Sequence, residues 1–506
     1  MNKKIFLPVM AFALTLASCD MDKEPYDAIP DSEALQTPTD FANMRVGLYD
    51  GLRSCIGSES FYNAPDVQCD GFNAVAGYSG AQNWMYDWTF TTTLGAASTV
   101  YGNCQAIIAR SNFLIDGYNK CDMSNPNIFT ANDIAQVKVI KGEAFFMRAF
   151  SLFELAQYFC ADYDENNADE KNSGVSYRLD YYPSSNSSSY PARKTLRETY
   201  KQITDDLDSA ALYINTPGEQ SANYVTVDAI KAIKARVALA MDDYETAEQM
   251  AEEVINSTTT YTLANSTERM EAMWWNDFDT ESIFKLAVKR PTESAGQTGA
   301  IFLPYTEGSS PDYIPTKTLV DLYDDADYRK DVFFMDLTIT TNTGTSGTVK
   351  VLNKYTEQAK PCYTGDEYSR FMIEPKVVRI SEMYLIAAEA YAMDGNTSRG
   401  AYFLNELMKK RIDGYQGQSY SGQSALMSAI RDERTREFVG EGMRLFDLKR
   451  WHLGMERGEP QQENLCNAPG ATTTELSVNA NNARFIWPIP QHEIDANPQV
   501  KQNPGY

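Results

Sequence analysis

Apolar residues recur every three or four positions along much of this chain, which is the spacing of one face of an amphipathic α-helix. Between positions 137 and 160, for example, Ile140, Ala144, Met147 and Leu155 follow that period. The same pattern predicts helices over 137–160, 196–214, 227–240, 243–255, 378–392 and 399–411.

Two pairs of these predicted helices carry small residues where the helices would face each other. Residues 238–240 lead through a short turn to Ala247 and Ala251, and residues 387–391 lead through another turn to Ala401. Small residues on facing helices permit the close antiparallel packing of tetratricopeptide repeats. A long stretch of different character separates the two pairs, so the sequence predicts helix pairs but no regular solenoid.

The stretches between the helices differ in composition. Residues 41–99 and 258–362 are rich in Gly, Ser, Thr, Asn, Pro and aromatic residues, with brief strand signals at 282–288 and 331–339. The sequence therefore predicts a mainly α fold, with a scaffold of tetratricopeptide-like helix pairs and a loop-rich irregular half containing a few short strands. Loops at about 41–100 and 258–362 are the expected ligand-binding face, because binding residues concentrate on loops held by a rigid scaffold.

The first residues predict export and lipidation. Two lysines precede an uncharged apolar run at 5–17, which ends in Leu16-Ala17-Ser18-Cys19. This arrangement is typical of a secretory signal peptide, and its last four residues are similar to a bacterial lipobox, whose cysteine is lipidated. An ordinary signal peptide with Cys19 present by chance is the alternative. The expected organisation is a signal peptide at 1–18, a lipidated tether at 19–40 and a single domain at 41–506.

The net charge limits the kinds of ligand that the protein can bind, and the cysteine content argues against a disulfide scaffold. The formal net charge of −24 opposes binding to nucleic acid or anionic lipid headgroups and suits a neutral or cationic ligand. Eight cysteines include Cys19, and no Cys-x-x-Cys motif is present. The other seven are too few for a disulfide scaffold in a chain of this length, and we expect most of them to be small buried hydrophobic residues.

The sequence has few residue patterns that are typical of an enzyme active site. The chain has two histidines, and no metalloprotease, nucleophile-elbow or phosphate-loop motif occurs. Glu433, Glu437 and Glu441 lie four residues apart and would share one helix face, whereas a glycosidase needs carboxylates on opposite sides of a sugar bond. We expect a structural ion-pair network instead, with Arg434, Arg436 and Arg444 nearby, and structural roles for Asp447 and Arg450.

One acidic stretch is similar to the start of a calcium loop. Asp162, Asp164 and Asn166 have the right spacing, but the sixth position is Asn167 and the twelfth is Ser173. A calcium loop requires glycine and glutamate there. The prediction is a solvated acidic loop and no cofactor, with a structural Ca²⁺ as the alternative.

Aromatic residues in the loops carry the hypothesis for a site. Sugars lay their C–H faces on Trp or Tyr rings while their hydroxyls meet planar polar side chains. If the segment is extended, alternation places Trp84, Tyr86 and Trp88 on one face. We expect Asn83, Trp84 and Tyr86 to bind ligand, and Trp88 to lie in the core.

Three further aromatic residues are candidates for ligand contact, namely Trp275, Tyr305 and Tyr313. The two tyrosines lie in Gly/Ser/Pro loops, which favours exposure. The remaining tryptophans, which lack a loop context, are expected in the core: Trp274, Trp451 and Trp487.

The carboxyl-terminal third carries an ordered set of motifs. Arg431-Asp-Glu-Arg-Thr-Arg-Glu437 precedes Gly440-Glu441-Gly442-Met-Arg444 and Phe446-Asp-Leu-Lys-Arg-Trp451, and Trp487-Pro-Ile-Pro490 lies near the end. With the lipobox and the helical Glu143–Phe150 stretch, this order resembles the SusD/RagB family of outer-membrane nutrient-binding lipoproteins. The resemblance covers nearly the whole chain, and it departs from the family pattern at 408–411.

The resemblance implies a fold of four tetratricopeptide-like helix pairs plus an irregular ligand-binding half, and no catalytic activity. It implies an oligosaccharide ligand, a SusC-like TonB-dependent transporter as partner, and a lipid-anchored position on the outside of the outer membrane. A peptide ligand, as in the RagB branch, is the alternative within the family. A surface glycosidase and a protein-interaction scaffold are the alternatives outside it.

Overall fold

The computed structural model describes residues 34–289, 293, 296, 299–304, 306–355, 373–466 and 476–506. The sequence predictions for Cys19, Tyr305 and the signal peptide lie outside these residues. Within them, no helix is both long enough and apolar enough to cross a membrane. The fold is mainly α, as the sequence predicts, with short strands in small two-stranded sheets.

The helices are α1 Pro38–Ile56, α2 Glu59–Gln68, α3 Asn83–Tyr86, α4 Gly95–Lys120, α5 Ala131–Phe159, α6 Leu196–Tyr213, α7 Val227–Ala240, α8 Tyr244–Ile255, α9 Thr267–Trp275, α10 Lys317–Asp321, α11 Lys330–Phe333, α12 Ile380–Met393, α13 Thr397–Arg411, α14 Gln423–Glu437, α15 Arg444–Arg450 and α16 Gln491–Ala496. The strands are β1 Phe72–Ala74, β2 Ser282–Lys285, β3 Tyr313–Pro315, β4 Phe334–Thr340, β5 Ser346–Leu352, β6 Lys376–Arg379, β7 Met455–Glu456 and β8 Ser477–Val478.

Capping boxes fix where the long helices begin. Thr130 precedes α5, and its hydroxyl accepts a hydrogen bond from the N–H of Asp133 at 3.2 Å, while the Asp133 carboxylate accepts from the N–H of Thr130 at 2.8 Å. The same reciprocal arrangement precedes α6, between Thr195 and Glu198. Each box satisfies donors that the first helical turn leaves unpaired. All six predicted helices form. The ends of five lie within two residues of the predicted ones, whereas α5 begins six residues before its predicted start.

The helices form one continuous stack. α4, α5 and α6 pack side by side, α7 pairs with α8, α12 pairs with α13, and α8 packs against α12. Glycines allow close approach, since a Cβ at Gly142 would lie 2.7 Å from Ile214 Cγ1, and one at Gly400 would lie 2.6 Å from the Ala388 carbonyl. The two alanine-rich pairs, although separated along the chain, are therefore neighbours in space.

The strands form small two-stranded sheets in the irregular half. β2 pairs antiparallel with β6, β4 with β5, β1 with β3 and β7 with β8. The two predicted strands form with shifted bounds, because residues Lys330–Phe333 are helical and β4 follows them. In the long segment that separates α8 from α12, β2 follows α9 and β6 leads directly into α12.

The prediction of irregular structure over 41–99 is wrong for much of that stretch. α1, α2 and the first residues of α4 are helical there, and α1 carries Pro38 in its first turn, behind a capping box at Thr37. Phe41, Leu48 and Leu52 are fully buried along one side of α1. Their spacing is helical, but Gly and polar residues between them conceal the period in the sequence.

The core tryptophans hold the carboxyl-terminal segment on the helical stack. Trp487 is fully buried, its N–H donates to the Tyr158 carbonyl at 2.8 Å, and its Nε1 donates to Gln68 Oε1 at 2.9 Å. Trp88 and Trp274 are also buried, as predicted, whereas Trp451 is half-buried.

The described cysteines other than Cys121 are buried, in agreement with their predicted role as small hydrophobic residues.

Candidate ligand-binding face

Trp84 lies on the short helix α3, which presents it to solvent. α3 begins after Gln82, whose φ of 55° places it in the left-handed region. Met85 and Tyr86 turn into the core and are fully buried, whereas Asn83 is half-buried and Trp84 is 54% exposed. Because neighbouring helical positions point about 100° apart, burying Met85 and Tyr86 directs the indole of Trp84 outward.

Contacts among Tyr313, Tyr78 and Tyr86 hold this helix in place. The hydroxyl of Tyr313 on β3 donates to the Ala81 carbonyl at 2.5 Å. The Tyr313 ring also contacts the rings of Tyr78 and Tyr86, each with ring centroids 5.5 Å apart. Burial, and next the charge of Asp87, raise the pKa of Tyr78 to about 12. Tyr78 is therefore neutral at physiological pH, and the hydrogen bond from Tyr313 to Ala81 fixes the position of the loop before α3.

Polar side chains lock the neighbouring loops together. Asp312 accepts hydrogen bonds from the N–H of Ser79 at 2.7 Å and from its hydroxyl at 2.9 Å. Asn342 donates from Nδ2 to the carbonyl of Gly77 at 2.5 Å, where a positive φ of 72° favours glycine. We call residues 77–84, 306–312 and 341–345 the Trp84 face. The face is preformed, and Trp84 and Asn342 are exposed on it.

The structure separates the predicted ligand-binding residues. Asn83 and Trp84 lie together on the Trp84 face, and their role in binding stays a prediction. The expected exposure of Tyr86 and Tyr313 is wrong, because the pairing of β1 with β3 and the packing of α3 bury both rings completely.

The structure also buries Trp275, which the sequence analysis names as a candidate for ligand contact. Its side chain is 5% exposed, and its Nε1 donates to the Asn353 carbonyl at 3.1 Å.

The extended conformation expected for residues 83–88 is wrong, because four of these residues form α3.

A cluster of charged side chains is buried behind the carboxyl-terminal motifs. Arg411 donates to Glu437 at 2.8 and 3.0 Å and to Glu281 at 2.9 and 3.0 Å. Arg379 donates to Glu437 at 2.6 Å, and Arg329 donates to Glu433 at 2.6 Å. We call this set the ionic cluster, and its members are Glu281, Asp327, Arg329, Lys354, Arg379, Arg411, Glu433, Glu437 and Glu441.

The ionic cluster confirms the prediction of a structural network for Glu433, Glu437 and Glu441. Burial raises the pKa of Glu437, but Arg411 and Arg379 together hold it well below its usual range. A carboxylate held ionised by two cations cannot act as a general acid, and its side chain is 1% exposed. These three glutamates therefore do not form a glycosidase site.

The other charged residues of the motifs also have structural partners. Arg434 donates to Asp447 at 2.8 Å, and Arg450 donates to Asp447 at 3.0 Å. Arg444 donates to Asp70 at 3.0 Å and 2.6 Å, which ties α15 to the end of α2. Both sets of ion pairs agree with the structural roles predicted for these residues.

Comparison with known proteins identifies the family. The model of the SusD family matches residues 167–506, which is more than half of the chain. The chain belongs to the SusD family. A second family model, described as "Starch-binding associating with outer membrane", matches residues 21–239. Among curated proteins, none matches the chain.

Solved SusD structures share the fold. A SusD superfamily protein from Bacteroides thetaiotaomicron is 26% identical, with a TM-score of 0.76 over 92% of this chain and 100% of its own. A SusD-like carbohydrate binding protein from Bacteroides vulgatus is 18% identical, with a TM-score of 0.74 over 92% of this chain and 97% of its own. SusD family members are binding proteins rather than enzymes.

This SusD family chain also has a tyrosine-lined groove that the sequence analysis did not single out. The groove has a volume of about 490 Å³, and the loop at 176–191 forms one wall. Arg178 lies 4.7 Å from the centroid of the Tyr182 ring, which is 56% exposed. The consecutive Tyr181 and Tyr182, before a Ser/Asn-rich stretch, were the signal available in the sequence.

The stretch similar to a calcium loop makes local hydrogen bonds. Asp164 accepts from both the N–H and the Nδ2 of Asn166 at 2.9 Å, and both side chains are exposed. Asp162 lies 3.6 Å from His452 Nδ1. No group of three metal-ligating side chains occurs in the part of the chain that the structure describes. The prediction of no cofactor remains a prediction.

Proposed function

We propose that this chain is a surface lipoprotein that captures an oligosaccharide on the Trp84 face and delivers it to a TonB-dependent transporter of the SusC type. The observation that carries the proposal is the indole of Trp84, 54% exposed on a helix whose other hydrophobic residues are buried. Exposure of so large an apolar ring costs solvation free energy that a ligand would recover by covering it.

The chemistry of the Trp84 face fits a sugar. An indole ring removes the C–H face of a pyranose from water, while planar amides hydrogen-bond its hydroxyls. Asn83 and Asn342 supply amides at the edge of the face, and the hydrogen bonds of Ser79 with Asp312 hold the loops in place before a ligand arrives. A face that is already ordered loses little conformational entropy on binding.

The position at the membrane rests on the sequence and on the family. The second family description names starch binding and association with the outer membrane, and the lipobox-like Leu16-Ala17-Ser18-Cys19 supplies a lipid anchor. Anchoring in the membrane that holds the transporter raises the effective concentration of each partner for the other.

Calorimetry with a panel of starch-derived and other plant and host oligosaccharides, together with short peptides, tests the ligand. We expect an oligosaccharide to bind, and Trp84→Ala to weaken its binding by about tenfold, which corresponds to about 1.4 kcal/mol of lost ring contact. Phe278→Ala is the matched control, because Phe278 is 80% exposed outside the face. Equal binding by Trp84→Ala and the unaltered protein would exclude the face as the site.

Purification from membranes tests the partner. A tagged copy of the protein is expected to retain a TonB-dependent transporter after mild detergent extraction, whereas Cys19→Ala is expected to release the protein from the membrane fraction. Retention of Cys19→Ala in the membrane fraction would contradict the lipid anchor. Absence of a transporter from the tagged preparation would contradict the delivery role.

A further inference from the structure

A small interior cavity lies between the helical stack and the carboxyl-terminal motifs. Its volume is about 70 Å³, and α2, α5, α7, α12 and the segment around α15 line it. Aromatic rings form part of the wall and charged side chains form another part, and the rings are those of Phe61, Tyr62, Phe150, Phe153, Tyr158 and Phe446. Half-buried Gln157 and Ala240 lie in the wall, where the cavity approaches the surface. A cavity of this size has room for a few heavy atoms.

One carboxylate in this wall lacks a partner. Glu154, on α5, is 7% exposed and lines the cavity. Among the described residues, no side chain or backbone group makes a hydrogen bond or salt bridge with its carboxylate. Buried charged groups are almost always paired, because removing an ion from water costs several kcal/mol (about 3 or more). A carboxylate that the protein leaves unpaired beside such a cavity therefore takes a proton, a cation or ordered water as its partner.

The neighbouring charges are engaged with each other. Arg236 donates to both carboxylate oxygens of Glu382 at 2.6 Å and to the Val377 carbonyl at 2.9 Å. Asp447 accepts from Arg434 Nε at 2.8 Å and from Arg450 at 3.0 Å. Arg434 Nη1 is buried without a hydrogen-bond partner among the described residues.

Lys376 donates to Asp277 at 3.0 Å, and Glu441 pairs with Lys354 at 2.6 Å. Among the carboxylates that line the described cavity wall, Glu154 is thus the one that no cation binds directly.

The aromatic wall favours one kind of cation. Ring faces attract ammonium groups, most strongly where water is excluded, and Tyr62 adds a hydroxyl that has no hydrogen bond among the described residues. A metal ion such as Ca²⁺ requires six or more oxygen ligands, and one carboxylate and one hydroxyl fall far short of that number. Burial, opposed by Arg236, raises the pKa of Glu154 to about 7, so its carboxylate is mainly ionised at pH 8.

We propose that this cavity is a binding site for a small ammonium ion, either ammonium itself or a one- to three-carbon primary amine. The ammonium group pairs with the Glu154 carboxylate, and its alkyl part or remaining N–H bonds face the rings of Phe150, Phe153 and Tyr62. The site is separate from the Trp84 face, so its test does not depend on the identity of the oligosaccharide.

Thermal unfolding of the purified protein at pH 8, with methylammonium chloride titrated against sodium chloride of equal ionic strength, tests the proposal. Because a ligand that binds only the folded state raises the unfolding temperature, methylammonium is expected to stabilise the protein more than sodium does. Glu154→Gln keeps the shape of the side chain and is expected to abolish this difference. Tyr62→Phe, which removes only a hydroxyl, is expected to weaken methylammonium binding by about tenfold or less.

Glu219→Gln is the matched control, because Glu219 is exposed and its replacement removes the same charge. It is expected to retain the full effect of methylammonium. Equal shifts with methylammonium and sodium in the unaltered protein would show that the cavity holds water only, and would overturn the proposal.

A full methylammonium effect in a folded Glu154→Gln variant would overturn it as well. An equal shift in the unfolding temperature with potassium chloride would show that the cavity binds alkali metal ions, and would also overturn the proposal.

Discussion

In the ionic cluster, the side chains of Arg329, Arg379 and Arg411 are at most 2% exposed, whereas on the Trp84 face an indole ring is 54% exposed. The first region buries formal charges and the second exposes a large apolar ring. Both arrangements oppose the ordinary preferences of these residue types. Their difference lies in what surrounds each side chain.

Each arginine of the cluster meets carboxylates in a planar, bidentate geometry, so its hydrogen-bonding capacity is satisfied inside the protein. Trp84 makes no comparable hydrogen bond among the described residues, and its neighbours Met85 and Tyr86 point into the core. The cluster is therefore satisfied within the protein, whereas the proposed function gives the face a ligand to cover its indole ring. Stability should depend strongly on the cluster and weakly on the face.

The largest expected effect is that of Arg411→Ala. This change leaves Glu281 and Glu437 buried with fewer cations, and we expect it to lower the free energy of unfolding by about 3–5 kcal/mol. Lys201→Ala is the control, because Lys201 forms an exposed salt bridge with Asp205, and we expect it to cost less than about 1 kcal/mol. Chemical denaturation measures both. Similar losses in the two variants would show that the cluster contributes no more than surface pairs do.

A smaller effect is expected from Trp88→Phe. Trp88 is buried, donates from Nε1 to the Gln68 carbonyl at 2.7 Å and packs against Phe485 with ring centroids 4.8 Å apart. Losing that bond and part of the ring is expected to lower the free energy of unfolding by about 2 kcal/mol. The same substitution at Trp84 should change it by less than about 0.5 kcal/mol. A stability loss at Trp84 equal to that at Trp88 would contradict the contrast between core and face.

A further expected effect concerns how stability depends on pH. Burial raises the pKa of Asp66 to about 7, although the N–H of Gly442 donates to its carboxylate at 3.0 Å. Its pKa in the unfolded chain is about 3.9. The folded protein therefore holds this proton more tightly, and the resulting stability, complete below about pH 4, is lost as pH rises through 7. Asp66→Asn should make the free energy of unfolding between pH 5 and 7 fall less steeply, by roughly 1 kcal/mol per pH unit.

Glu154, whose pKa is also raised to about 7 by burial, contributes a decline of the same sign, so some slope should remain in Asp66→Asn. Denaturation at a series of pH values separates the two contributions when Glu154→Gln is included. An unchanged slope in Asp66→Asn would show that Asp66 is ionised throughout that range in the folded protein.

Local patterns in the sequence were sufficient to predict the scaffold. Residues 227–240 are helical with the predicted bounds, because the helical period is read within a few turns. The three glutamates of the cluster were correctly placed in an ion-pair network for the same reason. Their main partners, Arg329, Arg379 and Arg411, could not be identified, because they come from elements that only the tertiary fold brings together.

The exposure of the candidate site residues was predicted less accurately than the scaffold, because burial of a loop residue depends on contacts with distant parts of the chain. Tyr313 lies in a Gly/Ser/Pro loop, which favours exposure, yet β3 pairs with β1 from a segment more than two hundred residues earlier and buries it. Trp84 and Tyr86 are only two residues apart, and a short helix rather than a strand sends them in different directions. No period in so short a stretch distinguishes the two conformations.

The pairing of β2 with β6 has a consequence for how such a protein can vary. Ser282 lies opposite Arg379, and Lys285 lies opposite Lys376, so the long segment between them leaves the scaffold and returns to it on adjacent strands about 5 Å apart. Its ends stay fixed when its length or sequence changes, and longer loops cost little additional closure entropy. Two parts of the Trp84 face belong to this segment, so under the proposed function a change within the segment alters the ligand preference while α8 and α12 remain in contact.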